Sequence, residues 1–292
     1  MTTTSPISLD GRRAVVTGAS RGIGFAIARA FVRAGADVAV IARDPNALET
    51  AAADLRASGR RVVAEPCDVT DAADVERAAA AIAQAFGGID ILVNNAGSSG
   101  THKLLGHPDE LWHRMLAENL TSVYFVTKAF LPLLVGRGSR RIVNIASTAA
   151  KTGARYTAAY TAAKHGVLGL TRVLALELAG DGITVNAICP GFTDTPMTER
   201  SVANIVAQTG RSEAEARAIL AEMNAGRRLI APEEVADVAL ALASDASGGI
   251  NGQAIDVTGV ETADELRLRV LQRVSADARG ASRRAAKSSV TE

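Results

Sequence analysis

Tyr160 and Lys164 are a pair of residues in this sequence whose types and spacing could move a proton. They stand four residues apart in a segment with a helical pattern, so both side chains lie on one face of the helix. A free tyrosine has a pKa of ~10 and is a weak base at neutral pH, but a neighbouring ammonium stabilises the phenolate. The pair could therefore act as general acid and base. The same spacing is common in ordinary surface pairs, so the surrounding motifs have to show whether this pair is catalytic.

A glycine-rich motif, Thr17-Gly18 followed by Gly22 and Gly24, provides a second chemical signal. It lies between an apolar strand candidate and an amphipathic helix candidate. Glycines at such a turn let the backbone approach a pyrophosphate, and the N-terminus of the helix offers unpaired N–H groups and a partial positive charge. A glycine-rich turn alone is a weak signal. Its position between a strand and a helix is what predicts a dinucleotide site.

The end of the second strand candidate indicates which dinucleotide binds. NAD-binding proteins of this kind place an acid there for the ribose 2′-hydroxyl, whereas NADP-binding proteins use an arginine. Counted from the turn at 35–36, Ala42 occupies the acid's position and Arg43 follows it. Arg21 adds a second guanidinium within the glycine loop, while Asp44 is the competing acid and is expected to cap the next helix. The pattern favours NADP(H); the alternative is that both arginines are solvated.

These residues need a scaffold, and the chain alternates short, β-branched apolar runs with alanine-rich helical stretches. Strands that are apolar on both faces and separated by helices predict a parallel sheet covered on both sides, which is an α/β doubly wound fold. In such a fold ligands bind beyond the carboxyl ends of the strands. The predicted strands are 12–18, 37–42, 61–69, 90–97, 141–147, 183–191 and 253–259. The predicted helices are 22–34, 46–58, 71–86, 109–135, 157–179, 212–224 and 232–244.

Length and composition fit one catalytic domain, predicted over 1–262, followed by an extension over 263–292. The formal net charge of +1 gives no field to attract nucleic acid or an anionic membrane, and no apolar run reaches the length of a membrane span. We therefore expect neither as a partner. The two cysteines and four histidines show no metal-ligand spacing, so we expect no metal and no disulfide. Without a secretory signal pattern, we expect a cytoplasmic location.

Further motifs make the sequence resemble the short-chain dehydrogenase/reductase family over about residues 9 to 260. Ser147 precedes Tyr160 by 13 residues, as in the family. The resemblance implies a single Rossmann-type domain and an oxidoreductase that works with a nicotinamide cofactor. The other matching residues are, in chain order, Asp68-Val69, the NNAG run at 94–97, Asn119 in ENLTSV, and the PGFTDT run at 190–195.

The resemblance also implies catalytic roles. Tyr160 would be the general acid in reduction and the base in oxidation, with Lys164 lowering its pKa and holding the nicotinamide ribose. Ser147 would polarise the substrate carbonyl through a hydrogen bond. Asn119 would interrupt a helix and hold a proton-relaying water; the alternative for Asn119 is a structural helix residue.

The residues that the resemblance implies for NADP(H) binding follow the length of the cofactor. Asp68-Val69 would meet the adenine, and Asn95 and Gly97 would line the channel. Pro190-Gly191 and Thr195 would hold the carboxamide end. The full implied set is Thr17, Gly18, Ser20, Arg21, Gly22, Ile23, Gly24, Arg43, Asp68, Val69, Asn95, Gly97, Tyr160, Lys164, Pro190, Gly191, Thr193 and Thr195.

Within the family, the runs 109–130, 141–153 and 164–197 look most like polyketide ketoreductases and 3-oxoacyl-thioester reductases. The expected reaction interconverts a ketone and a secondary alcohol, with a small-molecule substrate that is either free or thioester-linked. Aromatic polyketide ketoreductases carry Pro-Gly-Gly just after NNAG, where this chain has Ser98-Ser99-Gly100. One alternative is a 3-hydroxyacid or hydroxyacyl-CoA dehydrogenase working in the oxidative direction. A different class, a dinucleotide-binding redox sensor without turnover, would be favoured by loss of the tyrosine or the lysine.

Three expectations concern other segments. Residues 192–230 are long for a connection, carry one helical pattern at 212–224, and are of the kind that closes over substrate. The alanine-rich helices at 109–135 and 157–179 suit close packing between subunits, and the family implies a homotetramer or homodimer. In the extension, an apolar stripe predicts a short amphipathic helix before a basic end; it is formed by Leu266, Val270 and Val274. The arginines of 192–230 could meet a CoA or phosphopantetheine phosphate, or be solvated; they are Arg200, Arg211, Arg217, Arg227 and Arg228.

Overall fold

A parallel β-sheet forms the centre of the protein in the computed structural model, which describes residues 7–136 and 138–260. Its seven strands run in the order β3-β2-β1-β4-β5-β6-β7, and each neighbouring pair is parallel. This confirms the α/β doubly wound, Rossmann-type fold of a single domain. The strands are β1 Arg13–Thr17, β2 Asp37–Ala42, β3 Val62–Pro66, β4 Ile91–Asn94, β5 Arg140–Ile145, β6 Ile183–Pro190 and β7 Ala254–Val257.

Helices connect these strands and cover both faces of the sheet. They are α1 Gly22–Arg33, α2 Pro45–Arg56, α3 Ala72–Phe86, α4 Asp109–Leu116, α5 Ser122–Leu134, α6 Ala158–Glu177, α7 Pro196–Thr209, α8 Glu213–Glu222 and α9 Pro232–Ala243. A π-helical turn over Ala117–Thr121 separates α4 from α5. Short 3-10 turns lie at Thr148–Ala150, Ala179–Asp181 and Asp245–Ser247.

Two apolar layers hold the helices against the sheet, one on each face. Successive strand residues point to opposite sides, so Val16 packs with α1, α2 and α9 while Val15 packs with α3 and α5. The strand order reverses direction between β1 and β4, and a crevice opens there at the carboxyl ends of the strands. The glycine-rich turn after β1 and the NNAG run after β4 both lie at this crevice.

The helix boundaries agree with the sequence except at two places. Asp44 caps α2 as expected, because its side chain accepts hydrogen bonds from the backbone N–H of Asn46 and Ala47. The segment 192–230 contains a second helix besides the one predicted at 212–224, since α7 fills 196–209; this helix starts on a proline and ends on Gly210 in the left-handed conformation. The single helix predicted over 109–135 is divided by the π-turn.

Some expectations fall outside the described residues or concern membranes and metals. The extension predicted from 263, with its stripe of Leu266, Val270 and Val274, lies outside them. No helix in the described ranges is long and apolar enough to cross a membrane. Over the same ranges no group of three or more His, Cys, Asp or Glu side chains is arranged to hold a metal ion.

Candidate active site

The glycine-rich turn after β1 is fastened to the end of β4 by side chains of both segments. The Thr17 hydroxyl accepts the backbone N–H of Asn95 (3.0 Å) and Ala96 (3.1 Å). The Asn95 amide donates to the carbonyls of Thr17 (2.9 Å) and Gly18 (3.2 Å). A methyl group at Gly24 would stand 2.4 Å from the Gly18 carbonyl and from the Asn95 amide nitrogen. Glycine is therefore required at 24 because the Gly18 backbone and the Asn95 side chain occupy that space.

A cleft of about 300 Å³ opens above this turn. Most residues predicted to bind the cofactor line it: Gly18, Ser20, Arg21, Gly22, Ile23, Arg43, Asp68, Val69, Asn95, Gly97 and Thr195. Others lie behind or beside it, where they shape the turn, follow β6 or stand on α6. These are Thr17, Gly24, Pro190, Gly191, Thr193, Tyr160 and Lys164. The structure therefore places most of the predicted set in the lining of one cleft, and the rest in the glycine-rich turn, around the end of β6 and on α6.

The charges of the cleft suit an anionic dinucleotide. Arg21, Arg43 and Arg200 all line it. Asp44, the acid nearest to the end of β2, is engaged as the cap of α2. Gly22, at the N-terminus of α1, has a φ of 58° and leaves the unpaired N–H groups of that helix accessible to an anion. The donors present therefore fit a pyrophosphate and an additional phosphate, because the strand end offers a guanidinium where a free carboxylate would bind a ribose hydroxyl.

Tyr160, Lys164 and Ser147 meet beside the carboxyl end of β5. Lys164 is buried, and its ammonium donates to the Ile145 carbonyl at 2.9 Å. The same nitrogen lies 5.8 Å from the centre of the Tyr160 ring. Burial lowers the pKa of Lys164 from 10.5 to about 8, so the ammonium still carries its proton at neutral pH. The sequence interpretation that both side chains share one helix face agrees with this arrangement.

Desolvation also acts on the phenol. Burial raises the pKa of Tyr160 above its ordinary value, and a hydrogen bond from Ser147 acts in the opposite direction by stabilising the phenolate. The Ser147 hydroxyl accepts the backbone N–H of Ala149 at 3.1 Å. Because a hydroxyl has one hydrogen to donate, this contact leaves the Ser147 proton available to the phenol or to a carbonyl oxygen. Tyr160 is therefore a neutral acid at neutral pH.

Asn119 lies in the π-turn and is completely buried. Its amide donates to the Met115 carbonyl at 3.0 Å, and its oxygen accepts the Ser98 backbone N–H at 3.2 Å. A methyl group at Gly97 would stand 2.6 Å from that oxygen. The interruption of the helix thus brings Asn119 against the segment that follows β4, which is a wall of the cleft.

Among the residues at the site that were not predicted from the sequence, three bear on its charge or shape. Glu118 and Met197 line the cleft, and Asn224 packs against Gly191. The sequence signal for Glu118 is that it stands next to Asn119, and the signal for Met197 is that it closely follows the PGFTDT run. Nothing local marks Asn224. Of the arginines weighed for a substrate phosphate, Arg200 lines the cleft. Three others are already paired with carboxylates, namely Arg217, Arg227 and Arg228.

The family follows from comparison with known proteins. The model of the short chain dehydrogenase family matches residues 12–206, which contain the glycine-rich turn, Asn119, Ser147, Tyr160 and Lys164. The chain belongs to this family. The predicted resemblance is therefore confirmed.

Individual relatives in this short-chain dehydrogenase family cover most of the chain. A variant of the actinorhodin polyketide ketoreductase, solved with NADPH, superposes with a TM-score of 0.82 at 40% identity, over 85% of this chain and 96% of that one. The 3-oxoacyl-[acyl-carrier-protein] reductase of Salmonella typhimurium is 37% identical, over 87% of this chain and 98% of its own. D-beta-hydroxybutyrate dehydrogenase of Rhizobium meliloti is 36% identical, over 86% and 99%.

Proposed function

We propose that this short-chain dehydrogenase is an NADP(H)-dependent ketoreductase that interconverts a ketone and a secondary alcohol. The observation that carries the proposal is a pair of neighbouring features: a dinucleotide cleft with Arg21 and Arg43, and a group of Ser147, Tyr160 and the buried Lys164 at the carboxyl end of β5, the strand next to β4. An enzyme needs both, whereas a redox sensor needs only the cleft. The NADPH-bound ketoreductase relative supports the same assignment.

The proposed chemistry assigns one task to each side chain. The bound nicotinamide supplies or accepts the hydride. Ser147 donates its free hydroxyl hydrogen to the substrate carbonyl and stabilises the negative charge that develops on its oxygen. Tyr160 gives its proton to that oxygen during reduction and takes it back during oxidation. The raised pKa of Tyr160 keeps the proton on the phenol at neutral pH, where it is available for transfer.

Lys164 and Asn119 support the proton transfer. The protonated ammonium of Lys164 lies beside the Tyr160 ring and favours the phenolate that forms when the proton leaves. We propose that Lys164 then passes a proton to the Tyr160 phenolate, and that Asn119, through the π-turn, holds the water that returns a proton to Lys164. The remaining cofactor residues of the cleft would bind and orient the dinucleotide, with Arg21 and Arg43 on its 2′-phosphate.

The substrate we propose is a 3-oxoacyl compound, in thioester or polyketide form. The names of two relatives specify a 3-oxoacyl or polyketide ketone, and that of the third specifies a 3-hydroxy acid. The 3-oxoacyl and 3-hydroxy acid names both place the reacting oxygen on the carbon β to a thioester or carboxyl carbon. Oxidation of a 3-hydroxy acid is the reverse of reduction of a 3-oxo acid. The reductive direction that we propose is therefore what distinguishes this enzyme from a hydroxybutyrate dehydrogenase.

Assembly and location complete the proposal. We propose a homotetramer, or at least a homodimer, formed through α5 and α6, because apolar side chains on these helices face solvent in the single chain: Tyr124, Val173 and Leu176. A monomeric mass by light scattering would contradict this. Both cysteines are buried free thiols, which supports a reducing, cytoplasmic compartment. We also propose that the catalytic domain ends near 262 and that the extension is not needed for chemistry.

The test compares cofactors and carbonyl substrates in one panel. Reduction of 3-oxoacyl thioesters, free 3-oxo acids and cyclic ketones would be followed by consumption of NADPH or NADH. We expect the highest kcat/KM with NADPH and a thioester. The double variant Ala42→Asp with Arg43→Leu should reverse the preference between cofactors. Equal use of NADH by the unaltered protein would show that the arginines are solvated, and no turnover of any carbonyl would refute the ketoreductase assignment.

A further inference from the structure

The segment 192–230, which carries α7 and α8, is closed at its base. Its two ends pair where they leave and rejoin the domain: the Ile230 N–H donates to the Phe192 carbonyl (3.0 Å), and the Asp194 N–H donates to the Ile230 carbonyl (2.8 Å). The segment also has a small apolar cluster of its own, separate from the two layers of the sheet. Its buried members are Val202, Ala216 and Leu220. The position of α7 therefore depends on how this base is held.

One amide side chain binds both sides of the base. Asn224 is 4% exposed, and every polar atom of its side chain is used. Its oxygen accepts the Phe192 N–H at 2.8 Å. Its nitrogen donates to the Phe192 carbonyl at 2.8 Å and to the Arg228 carbonyl at 2.6 Å. Asn224 thus replaces the backbone pairing that two adjacent strands would make at this point.

The same side chain fixes the corner after β6. A methyl group at Gly191 would stand 2.2 Å from the Asn224 oxygen, so the Gly191 backbone is packed directly on this amide. The Gly191 N–H also donates to the Val257 carbonyl at the end of β7 (3.0 Å). Pro190 and Gly191 form the corner proposed above to hold the nicotinamide end. The corner is therefore held between β7 and Asn224.

The other side of the base is anchored to the domain. The Gly226 N–H donates to the Thr258 carbonyl at 3.0 Å. Arg228 makes two hydrogen bonds to the Glu234 carboxylate, at 2.7 and 2.6 Å. Glu234 belongs to the first turn of α9. Because this side of the base is fixed to the domain, the hydrogen bonds of Asn224 hold the corner after β6 and the start of α7 at a fixed place relative to it. Thr195 and Met197 line the cleft at the start of α7.

We infer that Asn224 is a positioning residue for this site, which holds the nicotinamide end of the cleft and the base of the α7–α8 segment in register. The inference rests on the proposed function. It requires an amide, because both carbonyls that Asn224 binds need an N–H donor. A carboxylate of the same shape would instead face two acceptors and lose both bonds.

The test is Asn224→Asp, with Asn186→Asp as the matched control. Asn186 is also a buried amide that joins two backbone segments: it donates to the Ile250 carbonyl (2.8 Å) and accepts the Gln253 N–H (3.0 Å). It lies within β6 and outside the cleft lining. Three quantities are compared: Tm, the Kd of NADPH by its fluorescence, and the rate of limited proteolysis between 196 and 222.

Both variants should lower Tm, but Asn224→Asp alone should raise the Kd of NADPH by about tenfold and speed cleavage of the segment, as expected when buried hydrogen bonds that order a site are lost. If Asn224→Asp does not fold, Asn224→Ala is compared with Asn186→Ala in the same way. Equal Tm losses with unchanged Kd and cleavage rate would overturn the inference. Wild-type protein that binds no NADPH would refute the proposed function instead, and the proteolysis comparison would still test the role of Asn224.

Discussion

Replacing Glu118 by glutamine should tighten the binding of NADPH. Glu118 and Arg43 face each other across the lining of the cleft, with Oε1 of the carboxylate 3.7 Å from Nη1 of the guanidinium. The other carboxylate oxygen accepts a hydrogen bond from the Ser98 hydroxyl. Arg43 thus has a carboxylate partner with which a 2′-phosphate must compete. Glutamine keeps an oxygen for Ser98 and removes the competing charge.

The size of the effect follows from the exposure of the pair. The Arg43 side chain is 65% exposed and that of Glu118 17%, so the pair is worth about 0.2–1 kcal/mol, as other solvent-screened ion pairs are. Its removal should lower the Kd of NADPH by up to about fivefold, since about 1.4 kcal/mol corresponds to tenfold. The gain should shrink at high ionic strength, where the screening length falls to about 3 Å at 1 M.

Fluorescence titration of NADPH and NADH at low and high salt measures this. NADH has no 2′-phosphate, so Glu118→Gln should change its Kd much less. Glu110→Gln provides the control, because Glu110 is an exposed acid on α4 that does not line the cleft. Weaker NADPH binding in Glu118→Gln, or an equal gain for NADH, would refute the competition between carboxylate and phosphate.

Three more predictions test other parts of the site. Tyr160→Phe should lower kcat by ~10²–10⁴ with little change in the Kd of NADPH, because the hydroxyl serves proton transfer; turnover within tenfold of wild type would contradict this. Burial holds the pKa of Lys164 at about 8, so the unfolded chain binds more protons between pH 8 and 10.5. The free energy of unfolding should therefore rise with pH across that window relative to Lys164→Met, as measured by urea unfolding at each pH; parallel curves would contradict it. Gly24→Ala should cost about 1–3 kcal/mol of stability and weaken cofactor binding, because its methyl meets the Asn95 amide. Gly169→Ala, with open space around it, should do neither in the same thermal melts and titrations.

Much of the scaffold could be predicted because its signals are local. The apolar runs fix the strands, the glycine-rich turn marks the crevice, and Asp44 stands where a cap is needed, so a short stretch of sequence is enough in each case. The carboxyl ends of parallel strands share one edge, which is why the predicted cofactor residues of distant segments gather around one cleft.

The remaining features depend on contacts between distant segments. Asn224 acts on Phe192, 32 residues earlier, and no local pattern records that pairing. The pKa of a side chain also depends on how deeply it is buried. The sequence predicts that Lys164 lowers the pKa of Tyr160. In the structure, desolvation by burial is the larger influence and raises that pKa. Desolvation follows from the packing around a group, which four-residue spacing does not reveal.

The closed base of the segment 192–230 has a consequence for engineering. Because Phe192 and Ile230 are hydrogen-bonded neighbours, everything between them starts and finishes at a single point on the domain. The entropy of closing such a loop grows only with the logarithm of its length, so doubling the segment would cost about 0.6 kcal/mol. The segment can therefore be exchanged as a unit. A chimera that keeps Phe192, Ile230 and the Asn224 amide would carry helices from another protein in place of α7 and α8. Such a chimera would change the surface presented to substrates and leave the sheet unaltered.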